Sequence, residues 1–404
     1  MSATLPNPSE LAAHWDLDPN TVYLNHGSFG ATPRRVREAQ HRLQNDLERE
    51  PVRFFVEKHE SAMDRSRKAI APLLGCPWDQ IAPIPNATTG VATVLASVID
   101  QRLIVPGDEL LATSHEYPAC LNNLRRAARQ AGASLVTVEL PFPVRSPDEI
   151  LDRILTAITP RTRLALISHI TAASGMRLPV ERLAPELESR GVRVLIDGAH
   201  APGMVDVNLS TLGATWYTGN CHKWICSPKG SAILWARDDV RHALRPLVLS
   251  NNAEHPKPGR DRFLTEFDYQ GTSDPSAFAS VADAVECMNA LVPDGWTEIR
   301  RRNHDLCLAG RDILCQALRL EPPVPDDMLG SISTLTLPAA SKSQAAATRY
   351  HDPLQDALVD RHHIQVPVWS LPNGTRCLRI SAQLYNSLDQ YRYLADALTT
   401  ELRR

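Results

Sequence analysis

Lysine is scarce in this chain. Of the 43 Lys and Arg residues among 404, only six are lysine, at Lys58, Lys68, Lys223, Lys229, Lys257 and Lys342. The formal net charge is only -3, which leaves no basic field for counterion release on nucleic acid or for docking to anionic lipid. No nucleic-acid or membrane partner is therefore expected. The opening stretch MSATLPNPSELAAHWDLD lacks the charged and apolar regions of a signal peptide, and no apolar run approaches the roughly 20 residues that span a bilayer. These absences predict a soluble, cytoplasmic protein. Eight cysteines are scattered without a CxxC pair, a pattern of reduced thiols rather than of a disulfide framework. Cys221 and Cys226, with His222 between them, have the wrong spacing for a zinc knuckle, so no metal is expected.

The length exceeds what one compact core usually spans. From about residue 60 to 240, helical patterns alternate with short apolar runs: LALISHI (164–170), VRVLIDGA (192–199), WYTGN (216–220) and SAILWA (231–236). Such alternation predicts an α/β fold with a large, doubly wound, mostly parallel sheet and its ligands at the strand carboxyl ends. The polar segment SNNAEHPKPGRDR (250–262) reads as a long surface loop. Helical patterns over about 276–320, then strands at 331–337 and 376–382, predict a smaller α+β domain at the C-terminus. The expected division is an N-terminal arm over 1–30, a large domain over 31–285 and a small domain over 286–404.

Polar groups with chemical potential follow the apolar runs. Asp197 closes VRVLI, where a carboxylate is costly unless paired; a pyridinium nitrogen is one suitable partner, a helix N-cap the plainer alternative. Lys223, in TGNCHKWICSPKG, has Trp224 and Ile225 as its next neighbours, a setting for the desolvated amine that a Schiff base requires. NATTG (86–90) precedes a helical stretch, so backbone N–H groups with the Thr88 and Thr89 hydroxyls would converge on an anion at a helix N-terminus. TSHEYPA (113–119) offers His115 and Tyr117 for stacking on a cofactor ring or for handling protons, and the sequence does not choose between them. Arg379 lies inside an apolar strand, where a guanidinium seeks a bidentate carboxylate, either a protein acid or the α-carboxylate of a substrate. Together, acid, lysine, phosphate cup and arginine describe a pyridoxal 5'-phosphate site.

The same residues carry a family likeness. YLNHGSFGATP (23–33), NATTG (86–90), GDELLATSHEYPA (107–119), ISHITAASG (167–175), IDGAHAPG (196–203), YTGNCHKWICSPKGSAIL (217–234), YQGTSDPSAF (269–278) and LRISAQLYN (378–386) resemble the class V aminotransferase superfamily of fold type I pyridoxal phosphate enzymes. Within it the chain looks most like the isopenicillin N epimerase group. The resemblance implies Lys223 as the cofactor-bearing lysine, Asp197 on the pyridine nitrogen and His200 near the ring hydroxyl. It further implies that Asn86, Ala87 and Thr88 hold the phosphate with His222 beside it, and that Gly271 and Thr272 reach the phosphate of a neighbouring subunit in a homodimer. Arg379 would grip the substrate carboxylate, with Asn25, His26 and Gly27 near the substrate entrance.

Departures bear on the reaction. Related cysteine desulfurases carry a nucleophilic Cys on a loop upstream of the arginine strand; here that loop, RHHIQVPVWSLPNGTR, has none, and Cys377 lies within the strand itself. Ala172 stands where relatives often carry Asn or Ser. The expected chemistry is removal of an amino-acid Cα proton, leading to epimerisation with a second acid drawn from Tyr117, His115 or Tyr217. The alternative is loss of a β-sulfur substituent in a carbon–sulfur lyase, with transamination ranked below both and a noncatalytic binder as the reading of another class.

Overall fold

The computed structural model describes residues 5–255, 257–339, 349–350 and 352–403. A seven-stranded sheet forms its centre, built from β2 (Ile81–Ile84), β3 (Glu109–Thr113), β4 (Ser134–Val138), β5 (Thr162–Ser168), β6 (Arg193–Asp197), β7 (Trp216–Asn220) and β8 (Ala232–Ala236). Their spatial order is β2-β8-β7-β6-β5-β3-β4. Only β8 runs against its neighbours, pairing antiparallel with both β2 and β7. The carboxyl ends of the other six strands therefore share one edge, and the loops that leave them meet there.

Period-two alternation explains why both faces are covered. Leu111, Ala165, Ile167, Val194, Ile196, Tyr217 and Ile233 join one buried cluster. Leu110, Ala112, Leu164, Leu166, Leu195, Trp216 and Leu234 join the other, together with apolar residues of the helices Ala87–Asp100 and Pro118–Ala131. The chain thus forms the α/β, doubly wound, mostly parallel arrangement that the alternating pattern predicts.

Toward the C-terminus a smaller antiparallel sheet has the order β11 (Val368–Ser370), β12 (Arg376–Ser381), β9 (Ile332–Thr336). It packs with the helices Gly295–Leu318 and Leu388–Glu401 around a third cluster. The N-terminal segment adds to this region: β1 (Val22–Tyr23) pairs parallel with β10 (Ile364–Gln365), and the Ser9 amide donates to Tyr385 O at 3.0 Å. The polar stretch after Ser250 is pinned rather than loose. Lys257 pairs with Glu60 at 2.7 Å and Arg260 with Asp64 at 2.9 Å, before Asp261 caps the helix Arg262–Asp268. Among the described residues no helix is long and apolar enough to cross a membrane.

Candidate active site

The shared strand edge gathers an acid, an amine and a helix N-terminus. Asp197 ends β6 and is buried, flanked in register by Ser168 of β5 and Thr218 of β7. Its carboxylate accepts from the Ala199 amide at 3.0 Å and from the Cys120 thiol at 3.1 Å. No cation pairs with it in a salt bridge among the described residues. Burial pushes its pKa up, against the lowering effect of those two donors and of Lys223.

Three residues beyond β7, Lys223 places Nζ 3.0 Å from His200 Nε2. Trp224 Nε1–H donates to His200 Nδ1 at 3.4 Å. Indole nitrogen can only donate, so Nδ1 carries the lone pair and the imidazole proton sits on Nε2, facing the amine. That arrangement suits a neutral lysine. Burial, with help from the Arg379 charge, lowers the Lys223 pKa to about 7 against the opposing pull of Asp197. Burial also holds His200 well below its ordinary value. Of the other lysines, Lys68 lies over Trp78 and Lys257 pairs with Glu60; Lys342 lies outside the described residues.

Phosphate-binding capacity resides at the start of the helix Ala87–Asp100. Asn86 caps it, its side-chain oxygen accepting from the Thr89 amide at 2.9 Å, and the Ala87 amide donates to Asn220 Oδ1 at 2.8 Å. The first-turn Thr88 amide has no intrahelical acceptor, and the helix dipole favours negative charge there. Behind Lys223, His222 Nδ1 meets Ser231 O at 3.1 Å, and burial lowers the His222 pKa to about 4.

The two rings of the TSHEYPA segment separate. His115 is buried, its Nδ1 2.7 Å from Ser174 Oγ and its ring against Phe142. Tyr117 stands 48% exposed at the start of the helix Pro118–Ala131, directly after the β3 edge. Tyr217 is fully buried, with its hydroxyl 3.1 Å from His169 Nδ1. Of these three, Tyr117 alone presents an uncommitted hydroxyl to open space.

Arg379, on β12, is buried without a carboxylate among the described residues. Its Nη1 donates to Ala172 O, its Nη2 lies 3.0 Å from Ser28 Oγ and 3.4 Å from Asn25 Oδ1, and its Nε has no partner. The guanidinium carbon sits 4.9 Å from the Trp369 ring centroid. Burial lowers its pKa to about 10. A guanidinium so desolvated, with an idle donor, suits an incoming carboxylate.

His26 lies between the Lys223 backbone and Tyr385. It is fully buried, with Nε2–H donating to Lys223 O at 2.9 Å and Nδ1 accepting from Tyr385 Oη at 2.9 Å. Both ring nitrogens are engaged, and burial lowers its pKa to about 3. Gly27 packs beside Arg379 and Ser381. Gly271 and Thr272 remain exposed, Thr272 Oγ1 lying 2.9 Å from Tyr269 Oη, and touch none of these groups.

Sequence reasoning passed over Cys120, Glu116, Asn220, Ser174 and Ser28. Glu116 is buried beside Ser168, whose amide donates to it at 3.1 Å, and Thr113 Oγ1 donates at 2.8 Å. Glu116 precedes Tyr117 within TSHEYPA and Cys120 directly follows that stretch, but nothing local indicates which polar side chains turn inward. Among the described residues no cluster of His, Cys, Asp and Glu could hold a metal ion.

The chain matches the family model for aminotransferase class-V over residues 22–394. It is 32% identical over 394 residues to isopenicillin N epimerase of Amycolatopsis lactamdurans, covering 95% of each chain. It is 29% identical to a probable chloroplastic L-cysteine desulfhydrase of Arabidopsis thaliana, covering 98% of this chain and 85% of the other. Among solved structures, it resembles the cysteine desulfurase CsdA of Escherichia coli with a TM-score of 0.79 at 20% identity, over 99% of both chains. The cystine C–S lyase C-DES follows the same fold with a TM-score of 0.73 at 20% identity, over 94% of this chain and 98% of that one.

Proposed function

The chain belongs to the aminotransferase class-V family, and from that premise we propose that it is a pyridoxal 5'-phosphate-dependent enzyme that removes the Cα proton of an amino-acid substrate, with epimerase-like chemistry. The observation that carries this reading is the Lys223 amine, lowered to about 7 beside His200, on the same sheet edge as an unpaired buried carboxylate at Asp197. The donor set fits the cofactor at each end. Lys223 supplies the amine, Asp197 the acceptor for a ring N–H, and the N-terminus of Ala87–Asp100 with Asn86, Ala87 and Thr88 the anion site. Tyr117 is the ring assigned to stacking, because His115 is committed to Ser174.

When bound, the cofactor supplies a conjugated ring that accepts the electron pair left at Cα. The protein's part is positional and acid–base. Asp197 holds a proton on the ring nitrogen. Arg379 orients the substrate carboxylate, drawing on its free Nε–H. Lys223 would take the Cα proton, and its lowered pKa lets a neutral amine do so near neutral pH. Epimerisation returns a proton on the opposite face, and Tyr117 is the exposed acid available to give it. The homodimer belongs to the same proposal: Gly271 and Thr272, exposed in one chain, would complete a neighbour's phosphate site.

One observation favours the β-lyase reading as second. His26, His115 and Tyr217 are all hydrogen-bonded elsewhere, and carbon–sulfur elimination needs no acid on the second face. A visible absorption band in the purified protein, absent from Lys223→Ala, tests the cofactor assignment against a noncatalytic binder, for which wild type reconstituted with cofactor would stay colourless. A panel of amino acids in deuterium oxide then separates the reactions. Cα exchange with inversion and no pyruvate or ammonia supports epimerisation, whereas release of both from cysteine or cystine without inversion supports the lyase.

A further inference from the structure

Cys120 is buried in the first turn of the helix Pro118–Ala131, and its sulfur lies 3.1 Å from Asp197 Oδ2. The other oxygen, Oδ1, is held by the Ala199 amide at 3.0 Å. The two donors engage different oxygens of the carboxylate, one from the strand's own turn and the other from a separate helix. Burial drives the thiol pKa well above its ordinary value, with Asp197 adding to the effect. The sulfur thus stays protonated, a donor rather than a second anion beside the carboxylate. A neutral donor is what the place requires. A cation there would compete with a ring N–H for the carboxylate, and an apolar group would leave Oδ2 desolvated and encourage Asp197 to protonate.

We propose that Cys120 is a positioning residue for the cofactor: its thiol orients Asp197 and keeps it ionised, so that the carboxylate can accept the ring N–H. The inference rests on the cofactor reading above and goes beyond it by assigning a task to a thiol that takes no part in proton transfer. It predicts that loss of the donor is felt only through the ring nitrogen.

The test compares pyridoxal 5'-phosphate with its 1-deaza analogue, in which C–H replaces the ring nitrogen, by titrating each into cofactor-depleted full-length protein. Removing a hydrogen bond to a charged acceptor should weaken pyridoxal phosphate binding by roughly tenfold in Cys120→Ala. Binding of the deaza analogue should change by less than about twofold, because Asp197 has nothing to accept from it. Cys120→Ser retains an O–H donor and should restore most of the affinity for pyridoxal phosphate. Cys120→Val, which also lacks a donor but fills the space, repeats the alanine experiment should the smaller side chain disturb folding. Equal losses for both compounds, or no loss in either donor-free variant, overturn the proposal. Wild-type protein that takes up neither compound removes the cofactor reading itself and the proposal with it, and that outcome is recognisable before any variant is made.

Discussion

At Glu116 three donors, Thr113 Oγ1, the Ser168 amide and Ser168 Oγ, converge on a carboxyl group. Burial nonetheless raises its pKa to about 7, and the nearby Asp197 charge adds to the rise. The folded protein therefore binds this proton more tightly than the unfolded chain does. The stability so gained is complete below the ordinary value of 4.5 and is lost as pH rises through about 7. The full shift corresponds to roughly 3–3.5 kcal/mol, of which about 2–3 kcal/mol falls between about pH 5 and about pH 8. Glu116→Gln removes the titration while keeping the shape. In urea unfolding at about pH 5 and about pH 8, wild type should lose about 2–3 kcal/mol relative to the variant on going to the higher pH. A stability difference that stays constant across that range would show that Glu116 is already ionised in the fold. His26 has the opposite sign. Its depressed pKa of about 3 means that stability is full above the ordinary 6.5 and is lost as acid protonates the unfolded chain. Protein carrying His26→Gln should accordingly lose less stability between about pH 7 and about pH 5 than wild type.

Among the elements, the short helix His26–Phe29 is tied to several distant parts of the chain. His26 anchors it to Lys223 O and Tyr385, Ser28 meets Arg379, and the Gly27 amide donates to Ser381 Oγ at 3.0 Å. It ends at Gly30, whose φ of +70° lies in the left-handed region and where a Cβ would fall 1.9 Å from His222 O. Gly30→Ala must push the turn off the Lys223 loop. A loss of about 2–4 kcal/mol in thermal unfolding is expected, together with a shift of the visible cofactor band, since the backbone that moves is that of Lys223. The amino-acid sequence made the large strands legible because a buried strand is written as a continuous apolar run. Asp197 and Asn220 stand at the ends of such runs, with Lys223 three residues beyond the second. It did not make this helix legible, because HGSF has no apolar period and owes its place to partners elsewhere in the chain. The same holds for Cys120 on Asp197, Glu116 on Ser168 and Asn220 on Ala87, pairs separated by 77, 52 and 133 residues. Local pattern carries information about faces and ends, whereas a contact across such a distance is decided by the order in which strands assemble. His26 shows the limit most clearly, since its partners Lys223 and Tyr385 lie 197 and 359 residues away in the chain.

In the whole molecule, a single chain leaves several large apolar side chains facing water. Phe29, Val52, Val56, Leu247, Val248 and Leu249 are all 47% exposed or more. Gly271, at φ +122°, and Thr272 lie on the same exposed stretch as Tyr269, whose ring meets Phe55. Exposure of this extent suits a surface that another chain covers, and the proposed dimer assigns Thr272 to the phosphate site of its partner. Subunit mixing makes that assignment testable. Thr272→Ala should weaken cofactor binding by roughly tenfold through loss of one hydrogen bond to an anion, and Lys223→Ala should be inactive. In a dimer formed from one chain of each kind, one site combines the alanine at 223 with the alanine at 272. The other combines an intact Lys223 with an intact Thr272, because each group comes from a different chain. An equal mixture of the two inactive or weakened proteins, dissociated and reassembled at limiting cofactor, should restore about a quarter of the sites to wild-type affinity. If Thr272 served its own chain, or no phosphate at all, every Lys223-bearing site in the mixture would keep the affinity of the Thr272→Ala parent, and reassembly would yield no gain.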